Sequence, residues 1–185
     1  MTTGMTHSNQ LRFIRFWLAV FIVGLVLSGV TAFPLQTEIN WLDSLVHFRV
    51  LQAVLKSAGL TGWIDRVAVA LNATSASYPF LAYGTDWLAF AHLAIAAAFI
   101  GPFVDPVRNK WVVAFGLIAC AGVIPLALIA GQIRGIPLVW RMIDCSFGVF
   151  GSIPLLICWR SIRVLEHASV PVALTSGKPD MMSKP

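Results

Sequence analysis

The chain has 185 residues, of which 58% are hydrophobic and only 11% are charged, and its mean hydropathy is +0.81. Soluble domains carry about 25% charged residues, so this composition excludes a soluble globule and a disordered chain. The net charge of +5 comes from bases at the ends of apolar segments rather than along one stripe, which argues against nucleic-acid binding. The lipid bilayer is therefore the partner that the composition predicts.

Four apolar segments are long enough to cross a bilayer as helices, at about 13–34, 87–104, 111–130 and 138–159. Arg12 and Arg15 lie at the start of the first, for which a cleaved signal peptide is the alternative interpretation. Pro125 predicts a kink in the third. The fourth must begin near Pro137, because a start at Cys145 would span only about 22 Å as a helix.

The connection 35–85 is too polar to cross a membrane and too apolar to be a tail. Within it, 43–58 predicts an amphipathic helix lying at the interface, Gly59 ends that helix, and 63–71 predicts a second short helix. The predicted fold class is an all-α integral membrane protein: a four-helix transmembrane bundle with an amphipathic helical insert between spans 1 and 2.

We expect residues 1–167 to form a single transmembrane domain, with residues 1–11 frayed and 168–185 a disordered tail. Eight of the 13 Lys and Arg residues lie in the N-terminus, the 105–110 turn and the C-terminal tail. The positive-inside rule then places both termini in the cytoplasm and the long loop outside. The sequence carries no organelle signal, which favours a bacterial cytoplasmic (inner) membrane.

Ionisable side chains within the spans are few and therefore informative, because such groups are costly in a bilayer and usually face the protein interior. Asp144 shares a helix face with Gly148, and Arg141 lies one turn before it, close enough in sequence to pair with it. His92 in span 2 has a predicted depth similar to that of Asp144. The two form the candidate catalytic pair, with polar packing between helices as the alternative.

A second group of polar residues is predicted at the outer mouth of the bundle. Arg134 and Arg141 are suited to anionic head groups, and Asp86 precedes span 2. Asp43, His47 and Glu38 belong to the insert and could join this ligand-binding cluster. Their spacing matches no metal-binding motif. Bis-histidine haem ligation needs two facing histidines within spans, and His92 has no counterpart, so no metal or other cofactor is predicted.

These features predict a membrane protein that binds a lipid, a small amphiphile or a partner subunit at its outward-facing polar cluster. One alternative is a membrane-embedded enzyme acting on a lipid head group, with His92 as general base and Asp144 orienting it. The other is a small proton-coupled transporter, working as a homo-oligomer, with the same two residues on the proton path. No motif in the chain identifies a reaction.

Overall fold

The computed structural model describes residues 7–46, 55–57 and 59–169, and this part of the chain is helical without strands. It contains four helices long and apolar enough to cross a membrane, as the composition predicts. We call them spans 1 to 4: His7–Ala32, Pro79–Val104, Lys110–Ile133 and Leu138–His167. They identify an integral membrane protein.

The helices are as follows. Span 1 is α1 (His7–Ala32), and the connection after it holds α2 (Leu35–Val46) and α3 (Thr61–Ser77). Span 2 consists of a 3₁₀ turn (Pro79–Ala82), α4 (Tyr83–Ala98) and α5 (Ile100–Val104). Span 3 consists of α6 (Lys110–Pro125), a π-helix (Leu126–Ala130) and α7 (Gly131–Ile133), and span 4 belongs to α8 (Leu138–Ser169).

Several helices extend beyond the segments predicted from hydropathy. The N-terminal residues from His7 onward are helical rather than frayed, because the buried amide of Gln10 donates to the carbonyl of Ser161 at 3.2 Å. Span 2 begins eight residues before the predicted position 87. The last helix covers the first two residues of the predicted tail, and 170–185 lies outside the described residues. Hydropathy marks the hydrocarbon core, whereas a spanning helix continues through the head-group layer.

The packing order of the spans differs from their order in the chain. Span 1 packs against both span 2 and span 4, which make little contact with each other, and span 3 packs mainly on span 4. The four helices meet at the end nearest the chain termini, around the fully buried side chains of Ile14, Leu18, Phe99, Val113 and Leu155. The fold is therefore two antiparallel pairs, 1 with 2 and 3 with 4, joined through spans 1 and 4.

Glycines bring the helices of each pair close together toward the opposite end. A Cβ at Gly29 would lie 3.0 Å from the Ala89 carbonyl and 3.1 Å from the Cβ of His92. A Cβ at Gly148 would lie 2.5 Å from the Cys120 carbonyl oxygen. Span 4 thus lies close to the backbone of span 3 at Gly148, where its small-residue face predicts close packing.

The helices of the connection form a hairpin with its own apolar cluster: Ile39, Leu60, Ile64 and Ala68. The Asn72 amide joins α3 to α2 by accepting from Gln36 at 2.8 Å and donating to Asn40 at 3.0 Å. The first helix begins at Leu35 rather than at the predicted position 43, because Pro34 interrupts span 1 and its carbonyl accepts the N–H of Glu38.

Only part of the predicted 43–58 helix falls within the described residues. The described backbone at 43–46 and 55–57 is helical, whereas the side chain of Asp43 and all of His47 lie outside the described residues. Gly59 ends this segment as predicted, with φ +68 and the paired bonds of a Schellman motif: its N–H donates to Lys56 and that of Leu60 to Leu55. Trp140 of span 4 packs on the apolar cluster of the hairpin, and the hairpin also contacts spans 1 and 2 at its ends.

Candidate functional site

The third of span 3 farthest from the end where the chain termini lie departs from α-helical geometry. Pro125 has no N–H to donate, and the helix changes there to a π-helix over Leu126–Ala130. At Pro125, where the sequence predicts a kink, the structure has a change from α-helix to π-helix. The span ends in a Schellman motif, with Gly135 at φ +68 and the N–H of Ile136 donating to Gly131 at 2.9 Å. This tight turn leads directly into span 4.

Arg141 of span 4 contacts the irregular segment of span 3. Its aliphatic stem crosses Gly131, where a Cβ would come within 2.6 Å of the arginine Cδ. Its Nη1 donates to the carbonyl oxygen of Leu128 in the π-helix at 3.3 Å, and its buried Nε has no hydrogen-bond partner in the described chain. The predicted Arg141–Asp144 ion pair is not formed, because the guanidinium is directed toward span 3.

A cleft of about 240 Å³ opens between the end of span 3 and the start of span 4. Asp144 and Arg134 both line it, and its other walls are aliphatic or small: Val123, Leu126, Ala127, Ala130, Gly131 and Ile136. Asp144 is partly buried, and within the described ranges neither its carboxylate nor the Arg134 guanidinium has a hydrogen bond or an ion pair. The cleft therefore presents one anionic and one cationic group, both unpaired, among apolar side chains.

The register between spans 3 and 4 gives the order of these groups along the membrane normal. Gly131 lies opposite Arg141, and Cys120 lies opposite Gly148. Asp144 is accordingly level with the start of the π-helix. The turn that carries Arg134 is level with Leu138, six residues before Asp144, or about 9 Å closer to the end of the two spans. The backbone of Arg134 is thus at the rim of the cleft, the backbone of Asp144 is deeper, and Val123 lies deeper than both.

His92 belongs to a different part of the molecule. Its Nδ1 lies 2.8 Å from the carbonyl oxygen of Leu88 in its own helix, and its Cβ is close to Gly29 of span 1. A carbonyl can only accept, so Nδ1 carries the proton. In the described part of the chain no hydrogen bond or ion pair joins His92 to Asp144. The His–Asp pair expected from equal depth is therefore not assembled in this structure.

Two further predicted ligands, Asp86 and Glu38, are described, and they do not line the cleft either. Asp86 lies in the first turn of α4 and is partly buried, and Glu38 is exposed in the first turn of α2. Neither lines the cleft of Asp144. Among the described residues no group of three His, Cys, Asp or Glu side chains is placed to hold a metal ion.

A second cavity, of about 290 Å³, was not anticipated from the sequence. It lies where the end of span 1, the start of α2, the end of α3 and the start of span 2 meet, and its polar groups are uncharged: Gln36, Thr37, Thr74, Ser75, Tyr78 and Thr85. The sequence signal that could have indicated it is the polar stretch 74–78, most of which lies in α3.

Comparison with known proteins finds no matching family model, no matching curated protein and no matching solved structure. The chemistry of the cleft itself is therefore the basis for assigning a function.

Proposed function

We propose that the protein is a four-helix transmembrane bundle that binds a lipid or another small amphiphile in the cleft between the outer ends of spans 3 and 4. Its membrane is the bacterial cytoplasmic membrane, its termini are cytoplasmic, and the α2–α3 hairpin covers part of the outer side as an amphipathic insert. The observation that carries the proposal is the pair of uncompensated charges, Asp144 and Arg134, in an otherwise apolar cleft.

The Asp144 carboxylate is costly where it lies, partly buried in a spanning helix, whereas Arg134 is exposed in the turn at the end of span 3. An unpaired carboxylate within a spanning helix is expensive, and such groups usually serve a ligand or a pathway. Arg141 does not compensate Asp144, because it is held on Leu128. An amphiphile would satisfy both parts of the cleft: its head group would bond to Asp144 and Arg134, and its chain would pack on the aliphatic walls.

The volume fits a head group rather than a whole lipid. Pockets that enclose a drug-sized molecule measure about 300–1,000 Å³, and this cleft measures about 240 Å³. Leu126 on one wall is 65% exposed and Ile133 nearby is 80% exposed. Because these side chains face the surroundings of span 3, the chain of the amphiphile can remain in the bilayer while its head group occupies the cleft.

Retention of amphiphiles by the purified protein tests the proposal. The protein would be extracted gently into detergent, incubated with a defined mixture of membrane amphiphiles, and analysed by native mass spectrometry. We expect a bound amphiphile on the unaltered protein and at least a tenfold loss in the double variant Asp144→Asn, Arg134→Gln. Each charge-assisted hydrogen bond contributes about 1.5–3 kcal/mol, and about 1.4 kcal/mol is a factor of ten in affinity.

The matched control is the double variant Asp86→Asn, Arg66→Gln, which removes the same charges from the same side of the molecule but not from the cleft. Equal retention by the two double variants would contradict the proposal, as would the absence of any amphiphile on all three proteins. If a co-purifying protein is lost only in the cleft variant, the ligand of the cleft is a partner subunit rather than an amphiphile.

A further inference from the structure

The order of charged groups along the cleft specifies the order of groups in its ligand. The backbone of Arg134 lies at the rim, that of Asp144 lies about 9 Å deeper, and that of Val123, which precedes the π-helix, lies deeper still. We infer that the cleft selects amphiphiles in which a protonated amine stands next to the alkyl chain and an anionic group, such as a phosphate, stands on its outer side. This inference rests on the proposed function and specifies its ligand class.

Each alternative charge arrangement leaves one group of the cleft unsatisfied. An anionic head group without an amine would bond to Arg134 but would approach the unpaired carboxylate of Asp144, and like charges repel strongly where the dielectric is low. A cationic amphiphile without an anion would place its charge beside Asp144 and leave Arg134 without a partner. A zwitterion satisfies both groups and adds no net charge to the cleft.

The direction of the zwitterion follows from the same geometry. In a glycerophospholipid with an ethanolamine head, the phosphate is nearer the acyl chains and the amine is farther out. That order would bring the phosphate toward Asp144 and the amine toward Arg134, so both contacts would be repulsive. A 2-amino-1-phosphate on a long alkyl chain has the opposite order, with the ammonium at the level of the carboxylate and the phosphate at the rim.

Two structural features leave the Asp144 carboxylate free to bind an ammonium group. Arg141, three residues before Asp144, is the nearest cation on the same helix, and it is held over Gly131 with its Nη1 on the Leu128 carbonyl. The side chains opposite Asp144 are Leu126 and Ala127, which offer no donor. An ammonium from the ligand therefore supplies what the neighbouring side chains do not.

A direct binding comparison tests the inference. The full-length protein in detergent micelles would be titrated with three long-chain probes: a 2-aminoalkyl 1-phosphate, the matching alkyl phosphate without the amine, and phosphatidylethanolamine. We expect the first to bind at least tenfold more tightly than either of the others. Asp144→Asn should remove this preference by weakening the first probe alone, and Asp144→Glu should restore part of it.

The outcomes separate the inference from the proposed function. If the alkyl phosphate or phosphatidylethanolamine binds as well as the amine-inner probe, the inference is overturned while amphiphile binding at the cleft stands. If none of the probes binds and the cleft variants retain amphiphiles normally, both fail. If 2-aminoethyl phosphate, which has no long alkyl chain, binds with the same affinity, the ligand does not come from the membrane. That result would indicate a water-soluble zwitterion.

Discussion

Replacing Gly148 with valine should force spans 3 and 4 apart and destabilise the protein by about 3 kcal/mol, the upper end of the usual cost of overpacking. A Cβ at this position would lie 2.5 Å from the Cys120 carbonyl oxygen and 3.4 Å from the Cβ of Val123. The first contact is with the backbone, which cannot move aside as a side-chain end can. Thermal unfolding of the detergent-solubilised protein, followed by circular dichroism, measures the effect.

Gly24→Val is the matched control, because a Cβ at Gly24 in span 1 meets nothing within 4 Å. The two variants make the same change in the same kind of helix and differ only in the neighbour. Equal melting temperatures for them would refute the close approach at Gly148. Since Gly148 lies about one turn below Asp144, the damaging substitution should also weaken amphiphile retention in the cleft.

Truncation of Phe99 to alanine should cost about 2–3 kcal/mol, at the low end of the values for soluble cores, because it opens a cavity at the junction of the four spans. The ring is fully buried, its centroid lies 4.7 Å from that of Phe21, and it fills the space beside Gly116. Lipid solvates an exposed phenyl ring, so the cost comes from weaker dispersion attraction around the cavity rather than from transfer into water.

Phe90→Ala removes the same ring from a surface position of span 2, where the side chain is 57% exposed, and should change stability by less than about 0.5 kcal/mol. Both variants can be unfolded with dodecyl sulfate in mixed micelles with a mild detergent. The midpoints of the two unfolding transitions are then compared. A midpoint shift for Phe99→Ala no larger than that of the surface control would disprove the central role of this ring.

The sequence predicts the helical class, the four apolar spans and the glycine end of the insert, because each depends on local composition. Hydropathy over about 20 residues identifies a spanning helix without reference to its neighbours. Likewise Gly59 ends its helix for a local reason, the left-handed conformation that the Schellman motif needs. The predicted spans are shorter than the helices of the structure, because a spanning helix continues beyond the hydrocarbon core of the bilayer.

The candidate site was predictable only in part, because it depends on which helices are neighbours. Asp144, Arg134 and Arg141 are recognisable as unusual in or near a span, and two of them line the cleft. Rise per residue places His92 and Asp144 at similar depth, yet depth says nothing about lateral position, and span 1 packs between their helices. The bond from Arg141 to Leu128 depends on the π-helix, which hydropathy does not encode.

The packing order also has a consequence for synthesis. Spans 1 and 2 follow each other in the chain and are partners, so they can associate as soon as span 2 is inserted. Span 3 has its main partner in span 4, which is made after it. The growing chain therefore carries a third helix without its main partner until span 4 is inserted, and the cleft with its two charges is created only at that step.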